Sequence, residues 1–454
     1  MDAYCLRSEE LPDLSIEKLG PATIDSPLLR GRSHFIDDGE RILLYSHSKD
    51  LKGHGDCGRE LPMLEVAGPR RKIFFDPREL ICGVVTCGGL CPGLNDVVRT
   101  ITLGLIWQYG VKEVLGLRYG YAGLSSKAPV PPVVLTPELV DEIHLKGGDI
   151  LSSSRGPQDP EDMVDNLAKR EIGLLFVIGG DGTLRGAASI IEVIKKRGLK
   201  ISVIGVPKTI DNDICGIERS FGFSTAVEAS RLAILTAHAE AKGAWNGVGL
   251  VQLMGRESGF IAAYATLANS DVNFCFIPEA PFVLEGENGF LRALERRLDR
   301  KHHAVIVVAE GVGEALVETC CDSATARREG SAAMADASGN IVLEDIGVML
   351  KERITEYFKD KKKPISLKYI DPSYMIRSLP ADSNDSAFCL MLGQNAVHAG
   401  MSGRTNMVIG YWNQYFVHIP ISLAILKRKK VDPEGHLWQT VLGTTGQGRG
   451  PAAG

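Results

Sequence analysis

The sequence predicts an α/β fold built from parallel strand–helix–strand units, and three observations carry that prediction. Short apolar or β-branched runs recur along the chain, glycine or a polar loop closes each run, and amphipathic segments fill the intervals. The strands are expected at ICGVVT (81–86), VLGL (114–117), LLFVIG (174–179), ISVIGV (201–206), VGLVQL (248–253), VNFCFI (272–277) and AVIVVA (304–309). Between the third and fourth, Leu184 to Arg197 is expected as a helix, because Ala187, Ile190, Ile191 and Ile194 recur at helical spacing. Residues 1 to about 75 are polar and rich in turn formers, and are read as an extension that wraps the surface. The stretch 314–335 is small-residue-rich and weakly periodic, and is read as a mobile insertion without chemistry. No repeat of solenoid period is present.

A chain of 454 residues is expected to form two or three compact units. With 44% hydrophobic and 24% charged residues it can bury a large core of ordinary globular composition. Lys plus Arg is 51 and Asp plus Glu is 56, a net charge of −5. That balance argues against bulk binding to nucleic acid or an anionic membrane, so any phosphate site must be local. Ten cysteines are scattered without a recurring CxxC pair, so no zinc site is expected. Free thiols suit a reducing cytosol, and the expected compartment is the cytoplasm. Apolar runs such as Leu174–Ile178 fall far short of the ~20 residues that a membrane span needs.

In an open parallel sheet, ligands sit beyond the carboxyl ends of the strands, and four such loops here are heavily loaded. TCGGLCPGLND (Thr86–Asp96) offers paired glycines before a helix, so that main-chain N–H groups can close on a phosphate; a tight turn explains it equally well. GGDGT (Gly179–Thr183) sets a carboxylate among glycines, which allows backbone contact with a polyphosphate while Asp181 holds Mg²⁺, expected through water. No GxxxxGK[ST] P-loop occurs. PKTIDND (Pro207–Asp213) carries two acids two residues apart, which can divide proton transfer from metal management; turn capping is the bland alternative. MGRESG (Met254–Gly259) places Arg256 where it can neutralise a moving phosphoryl group. Arg155 in SSSRG and Glu279 in IPE mean little singly and gain weight together.

With these loops in their order, and with GYAGL, GGDILSSSRG, VAEG and YIDPSYMIR between and after them, the chain resembles the 6-phosphofructokinases over roughly residues 75 to 425. The texture is most similar to the plant and trypanosomatid ATP-using branch. The resemblance implies two Rossmann-like parallel-sheet domains with the active site between them. One covers 76–219, completed by about 378–411, and binds ATP; the other covers 220–377, completed by about 412–454, and binds fructose 6-phosphate. It implies glycolytic phosphorylation of fructose 6-phosphate at O1, with Mg²⁺ as cofactor, in a homo-oligomer (dimer or tetramer) of allosteric type. Asp211 would be the base for the C1 hydroxyl, with Thr209 beside the transferred group, and Asp213 and Arg256 completing the catalytic set. ATP would be held by Gly88, Tyr121, Arg155, Gly156, Gly180, Asp181, Gly182 and Thr183. The sugar phosphate would meet Met254, Gly255, Arg256, Glu279, Lys368, Tyr374 and Arg377, with Lys368 approaching the 6-phosphate.

Three positions depart from the bacterial ATP enzymes: Tyr374 stands for His, Lys368 for Arg, and Gly247 for a phosphate-binding Arg. Two further positions bear on the donor and disagree. Lys208 is what the pyrophosphate-dependent members carry, whereas their Asp is here Gly182. Gly182 decides for ATP, because a carboxylate there would crowd and repel the α-phosphate, whereas Lys tolerates either donor. A silent regulatory chain should have lost Asp181, Asp211 or Asp213, and all three are present. Lipid and NAD kinases share GGDG but not PKTIDND, MGR or YMIR.

Overall fold

The computed structural model describes residues 11–31, 34–46, 51, 61–154, 156–313 and 345–447. Arg155, the 314–335 stretch and parts of the N-terminal extension lie outside the described residues. All seven expected strands form, the sixth shortened to Phe274–Phe276. The chain divides into two units: one runs through Gly222 and resumes over Ser378–Arg428, and the other takes Phe223–Arg377 and resumes at Lys429.

The first unit is organised on a nine-stranded sheet. Its strands lie in the order Arg41–Leu43, Met63–Val66, Tyr415–Pro420, Met407–Trp412, Ser202–Pro207, Ile172–Gly179, Ile81–Thr86, Glu113–Leu117 and Val133–Val134. Met407–Trp412 through Glu113–Leu117 run parallel, and the outer strands pair antiparallel. The sheet is therefore mixed rather than wholly parallel. Its antiparallel side comes from the two chain ends. Two strands of the N-terminal extension join the sheet instead of only wrapping it. Residues 412–428 also stay in this unit rather than completing the other, because Trp412 pairs with Tyr415 around a two-residue turn. Asn413 and Gln414 both have positive φ, the backbone that such tight hairpins require.

Strand alternation splits the core over both faces. Leu175 and Val177 pack with Leu184, Ala187, Ile190, Ile191 and Ile194 of the helix Asp181–Lys196. Leu174 instead lies beneath Gly400 of the helix Ser383–Met401, where an added Cβ would come within 2.7 Å of it. Under the antiparallel side, buried Glu65 gathers His418 Nδ1 at 2.8 Å, Arg70 Nη2 at 3.3 Å and the Arg404 guanidinium. Burial, with Arg404 and Arg70 nearby, outweighs the Glu65 contact and holds the His418 imidazole down to about 4. An unfolded chain takes up this proton near pH 6.5, whereas the folded one does so only near 4. The resulting stability is complete above pH 6.5 and is lost as pH falls toward 4. Thermal unfolding followed from pH 7 to 4.5 should show a falling Tm, with a shallower slope in His418→Asn.

The second unit has four parallel strands in the order Phe274–Phe276, His303–Ala309, Gly247–Leu253 and Ser366–Ile370. The helix Phe223–Gly243 lies hard against the third of these strands. An added Cβ at Gly249 would meet the Ala237 carbonyl at 2.6 Å, and one at Gly247 the Ala241 carbonyl at 2.0 Å. Glycine is what permits this approach. In each unit the loops that end the parallel strands share one sheet edge.

Candidate active site

In the first unit, three loops are tied together by their own backbone. Cys87 N–H donates to the Ile178 carbonyl and Lys208 N–H to the Gly179 carbonyl, each at 2.9 Å. The Lys208 ammonium then reaches the Gly89 carbonyl at 2.5 Å, under a turn in which Gly88 has φ +86°. A fourth loop joins through Tyr121, whose hydroxyl donates to the Thr183 carbonyl at 2.6 Å. Burial pushes that phenol well above its usual range, so it stays a neutral donor. Gly156 has φ +104°, and the Ser154 hydroxyl donates to the Tyr119 carbonyl at 2.7 Å. Gly88, Tyr121, Gly180, Asp181, Gly182, Thr183, Lys208, Thr209, Asp211 and Asp213 thus belong to four joined loops.

Gly180 precedes the helix Asp181–Lys196, and unpaired N–H groups at such a helix start are suited to anions. An added Cβ at Gly182 would meet nothing within 4 Å. Asp181 Oδ2 lies 3.1 Å from Arg185 Nε, one turn along the same helix. In the next loop Asp213 is buried and fully engaged. The Thr209 hydroxyl donates to its Oδ1 at 2.6 Å, and Arg428 Nη1 lies 2.8 Å from its Oδ2. Between the two acids, Asn212 takes positive φ and its side chain pins the loop, accepting from Ser220 N–H and donating to the Glu218 carbonyl. Asp211 is half-buried at the turn this creates. Asn212 lay in a motif read for its acids alone. Asn is among the few non-glycine residues that accept this backbone, which was the available signal.

Asp149 is a further, half-buried acid. It accepts from the Thr86 hydroxyl at 2.7 Å and from Leu151 N–H at 2.9 Å. Burial raises its carboxyl above the usual range, against these hydrogen bonds and the Lys208 charge.

In the second unit, Met254 and Gly255 follow the strand Gly247–Leu253, and Gly255 has φ +130°. An added Cβ there would strike the Ser258 carbonyl at 2.5 Å. Arg377 Nε reaches Met254 Sδ at 3.2 Å. Glu310 was not assigned a role from the sequence, although it ends a strand within VAEG. Burial raises its carboxyl, opposed by the charge of Arg377, a backbone hydrogen bond from Gly255 and the charge of Arg256. Glu279 is turned onto the backbone of two other segments. Gly259 N–H lies 3.0 Å from both of its oxygens and Val431 N–H 2.8 Å from Oε1. Burial raises this carboxyl too, against those hydrogen bonds.

Tyr374 is 81% exposed on the short helix Ser373–Arg377, so its ring is presented outward. Lys368 is exposed in mid-strand, in register with Gly249, and the structure does not bring it to the loops with Met254 and Arg377. Gly247, the third departure, abuts the Ala241 carbonyl so closely that no larger side chain fits this backbone. Among the described residues, no group of three or more His, Cys, Asp or Glu side chains could hold a metal. No helix among them is long and apolar enough to cross a membrane.

Known proteins resemble this chain over most of its length. The family model described as Phosphofructokinase matches residues 81–400. The chain is 47% identical to an ATP-dependent 6-phosphofructokinase of Borreliella burgdorferi, covering 98% of each chain. It is 44% identical to one from Trypanosoma brucei brucei, covering 96% of this chain and 88% of the relative. It is 45% identical to ATP-dependent 6-phosphofructokinase 1 of Arabidopsis thaliana, covering 97% and 90%. Among solved structures, a pyrophosphate-dependent phosphofructokinase from Marinobacter aquaeolei matches with a TM-score of 0.62 at 18% identity, over 81% of this chain and 91% of that one. At that identity the likeness concerns the fold alone.

Proposed function

The chain belongs to the phosphofructokinase family, and from that premise we propose that it is an ATP-dependent 6-phosphofructokinase, converting fructose 6-phosphate and ATP to fructose 1,6-bisphosphate and ADP in glycolysis. The observation that supports this most is the joining of the helix start at Gly180–Thr183 to the Lys208–Asp213 loop, which sets an anion cradle beside a pair of acids. Phosphoryl transfer asks the protein mainly for positioning and charge neutralisation, with a base for the acceptor hydroxyl.

Asp213 has both oxygens committed to Thr209 and Arg428, so proton acceptance falls to Asp211. Asp211 takes the proton of the C1 hydroxyl as that oxygen bonds to the γ-phosphorus and the bond to the β–γ bridging oxygen breaks. Thr209 stands next to the transferred group. Gly88, Tyr121, Arg155, Gly156 and Gly180–Thr183 hold the nucleotide, largely by main chain. Asp181 alone fits Mg²⁺, which takes one or two carboxylates and otherwise phosphate oxygens and water. Bound there, the ion would neutralise charge on the β- and γ-phosphates. Arg256 and Arg377 neutralise phosphate, and Met254 and Gly255 shape the loop beneath them. Glu279 is the acid for the sugar hydroxyls, held in place by the Gly259 and Val431 N–H groups. Lys368 and Tyr374 remain assigned to the sugar phosphate, where their exposure would serve a neighbouring copy in a dimer or tetramer. Leu232 and Leu235, exposed on the helix Phe223–Gly243, supply apolar surface for such a copy to cover. The six described cysteines are buried, which accords with a cytoplasmic enzyme.

A second reading, pyrophosphate as donor, is favoured by Lys208, whose ammonium lies at the Gly88–Gly89 turn. Gly182 weighs against it, since it leaves open space at the helix start. Incubation with ATP and fructose 6-phosphate, followed by phosphorus NMR, tests the assignment: a new phosphate ester on O1 is expected, and ATP hydrolysis without a sugar product would refute it. Arg377→Ala should raise the KM for fructose 6-phosphate at least tenfold and leave that for ATP within about twofold, because a guanidinium–phosphate contact is strong and local. Equal rises for both substrates would remove Arg377 from the sugar site.

A further inference from the structure

Arg428 lies in the run KRKKV (427–431), which by composition alone reads as a solvated basic surface. The structure gives it a different task. Ile214 and Arg428 form an antiparallel backbone bridge, so this segment runs directly beside the Lys208–Asp213 loop. From that bridge the Arg428 side chain, 29% exposed, reaches the Asp213 carboxylate, 7% exposed, at 2.8 Å. The other Asp213 oxygen accepts the Thr209 hydroxyl at 2.6 Å. The same segment is anchored at Ile425, whose carbonyl accepts from Arg185 Nη2 at 2.7 Å, and Arg185 also pairs with Asp181. Ile425–Arg428 therefore meets both acid-bearing loops through one arginine each.

We infer that Arg428 is a positioning residue for phosphoryl transfer: it cancels the charge of Asp213, so that this buried acid can fix Thr209 without repelling the incoming polyphosphate. The inference rests on the function proposed above. A buried carboxylate without its cation is costly and projects uncompensated negative charge. Here it would do so next to the base and opposite a triphosphate. Arg428 acts through Asp213 and Thr209, and is given no contact with the sugar. Its loss should accordingly appear in kcat rather than in the KM for fructose 6-phosphate.

The test uses the full chain in a coupled assay with ATP and fructose 6-phosphate, comparing wild type, Arg428→Gln, Arg428→Lys, Asp213→Asn and the Arg428→Gln/Asp213→Asn double variant. Arg428→Gln should lower kcat 10- to 100-fold and leave the KM for fructose 6-phosphate within about threefold. Arg428→Lys, which keeps the cation, should retain a third or more of the wild-type kcat, and it keeps the test open if the Gln variant fails to fold. In the double variant there is no charge left to cancel, so its kcat should exceed that of Arg428→Gln at least threefold. Unchanged kcat in Arg428→Gln, a tenfold loss in folded Arg428→Lys, or a double variant as poor as the product of the two single losses would each overturn the inference. A wild type inactive with both ATP and pyrophosphate would overturn the functional reading itself. A wild type active only with pyrophosphate would correct the donor, and the variants would then be compared with that donor.

Discussion

Asp211→Ala should lose 10²- to 10⁴-fold in kcat, the usual contribution of general-base assistance, while binding ATP with near-normal affinity. The loop explains why the effect should concentrate on this residue. Its two acids are two positions apart, yet Asp213 is clamped by Thr209 and Arg428, whereas Asp211 sits half-buried at the turn that Asn212 pins in positive φ. Removing the Asp211 side chain leaves those clamps intact, so the variant should fold and keep its nucleotide loops. Titration with ATP, alongside turnover with saturating fructose 6-phosphate, separates the two quantities. Turnover close to wild type in a folded variant would take Asp211 out of the mechanism.

Gly182→Asp should lower ATP-dependent turnover about a thousandfold. The structure makes this substitution unusually clean. A Cβ at Gly182 meets no protein atom within 4 Å, and an acid in the first turn of a helix is favourable for the fold. Protein stability should therefore be unharmed, and the loss should lie with the donor. A carboxylate ~4 Å from a phosphate repels it by roughly 4 kcal/mol at an effective dielectric near 20, which corresponds to about three orders of magnitude in rate. Lys208 is already at the neighbouring turn, so the variant should be assayed with pyrophosphate as well. An ATP rate equal to wild type would show that the α-phosphate does not pass this position.

The parts of the fold that were legible from sequence are those whose physics is local. The seven expected strands are mostly apolar, largely buried runs, and each became a strand. Ser366–Ile370 escaped notice because it is an edge strand interrupted by Lys368, with little apolar signature. The hairpin of Met407–Trp412 and Tyr415–Pro420 did carry a signal, two β-rich runs around an Asn-Gln pair, and its antiparallel pairing is why residues 412–428 joined the first unit. Strands Arg41–Leu43 and Met63–Val66 lie in polar sequence and are held by pairing with that hairpin, a long-range partner invisible to any local pattern.

The site divides in the same way. Glycines and acids that follow strands announce themselves, so the loops at 86–96, 179–183, 207–213 and 254–259 could be read directly. Side chains that act from a distance in sequence could not. Arg428 is 215 residues from Asp213, and its basic neighbours disguise it. Glu310 meets the charges of Arg256 and Arg377 only in the folded chain, and the backbone groups that hold Glu279, at Gly259 and Val431, are 20 and 152 residues from it.

The proposed reaction moves the terminal phosphoryl group of ATP to fructose 6-phosphate. The most direct test is the initial rate of fructose 1,6-bisphosphate formation by the unmodified protein, with ATP or pyrophosphate as donor at matched free Mg²⁺. Robust turnover with ATP and little or none with pyrophosphate is the expected result. Robust turnover with pyrophosphate, or no bisphosphate with ATP, would contradict it.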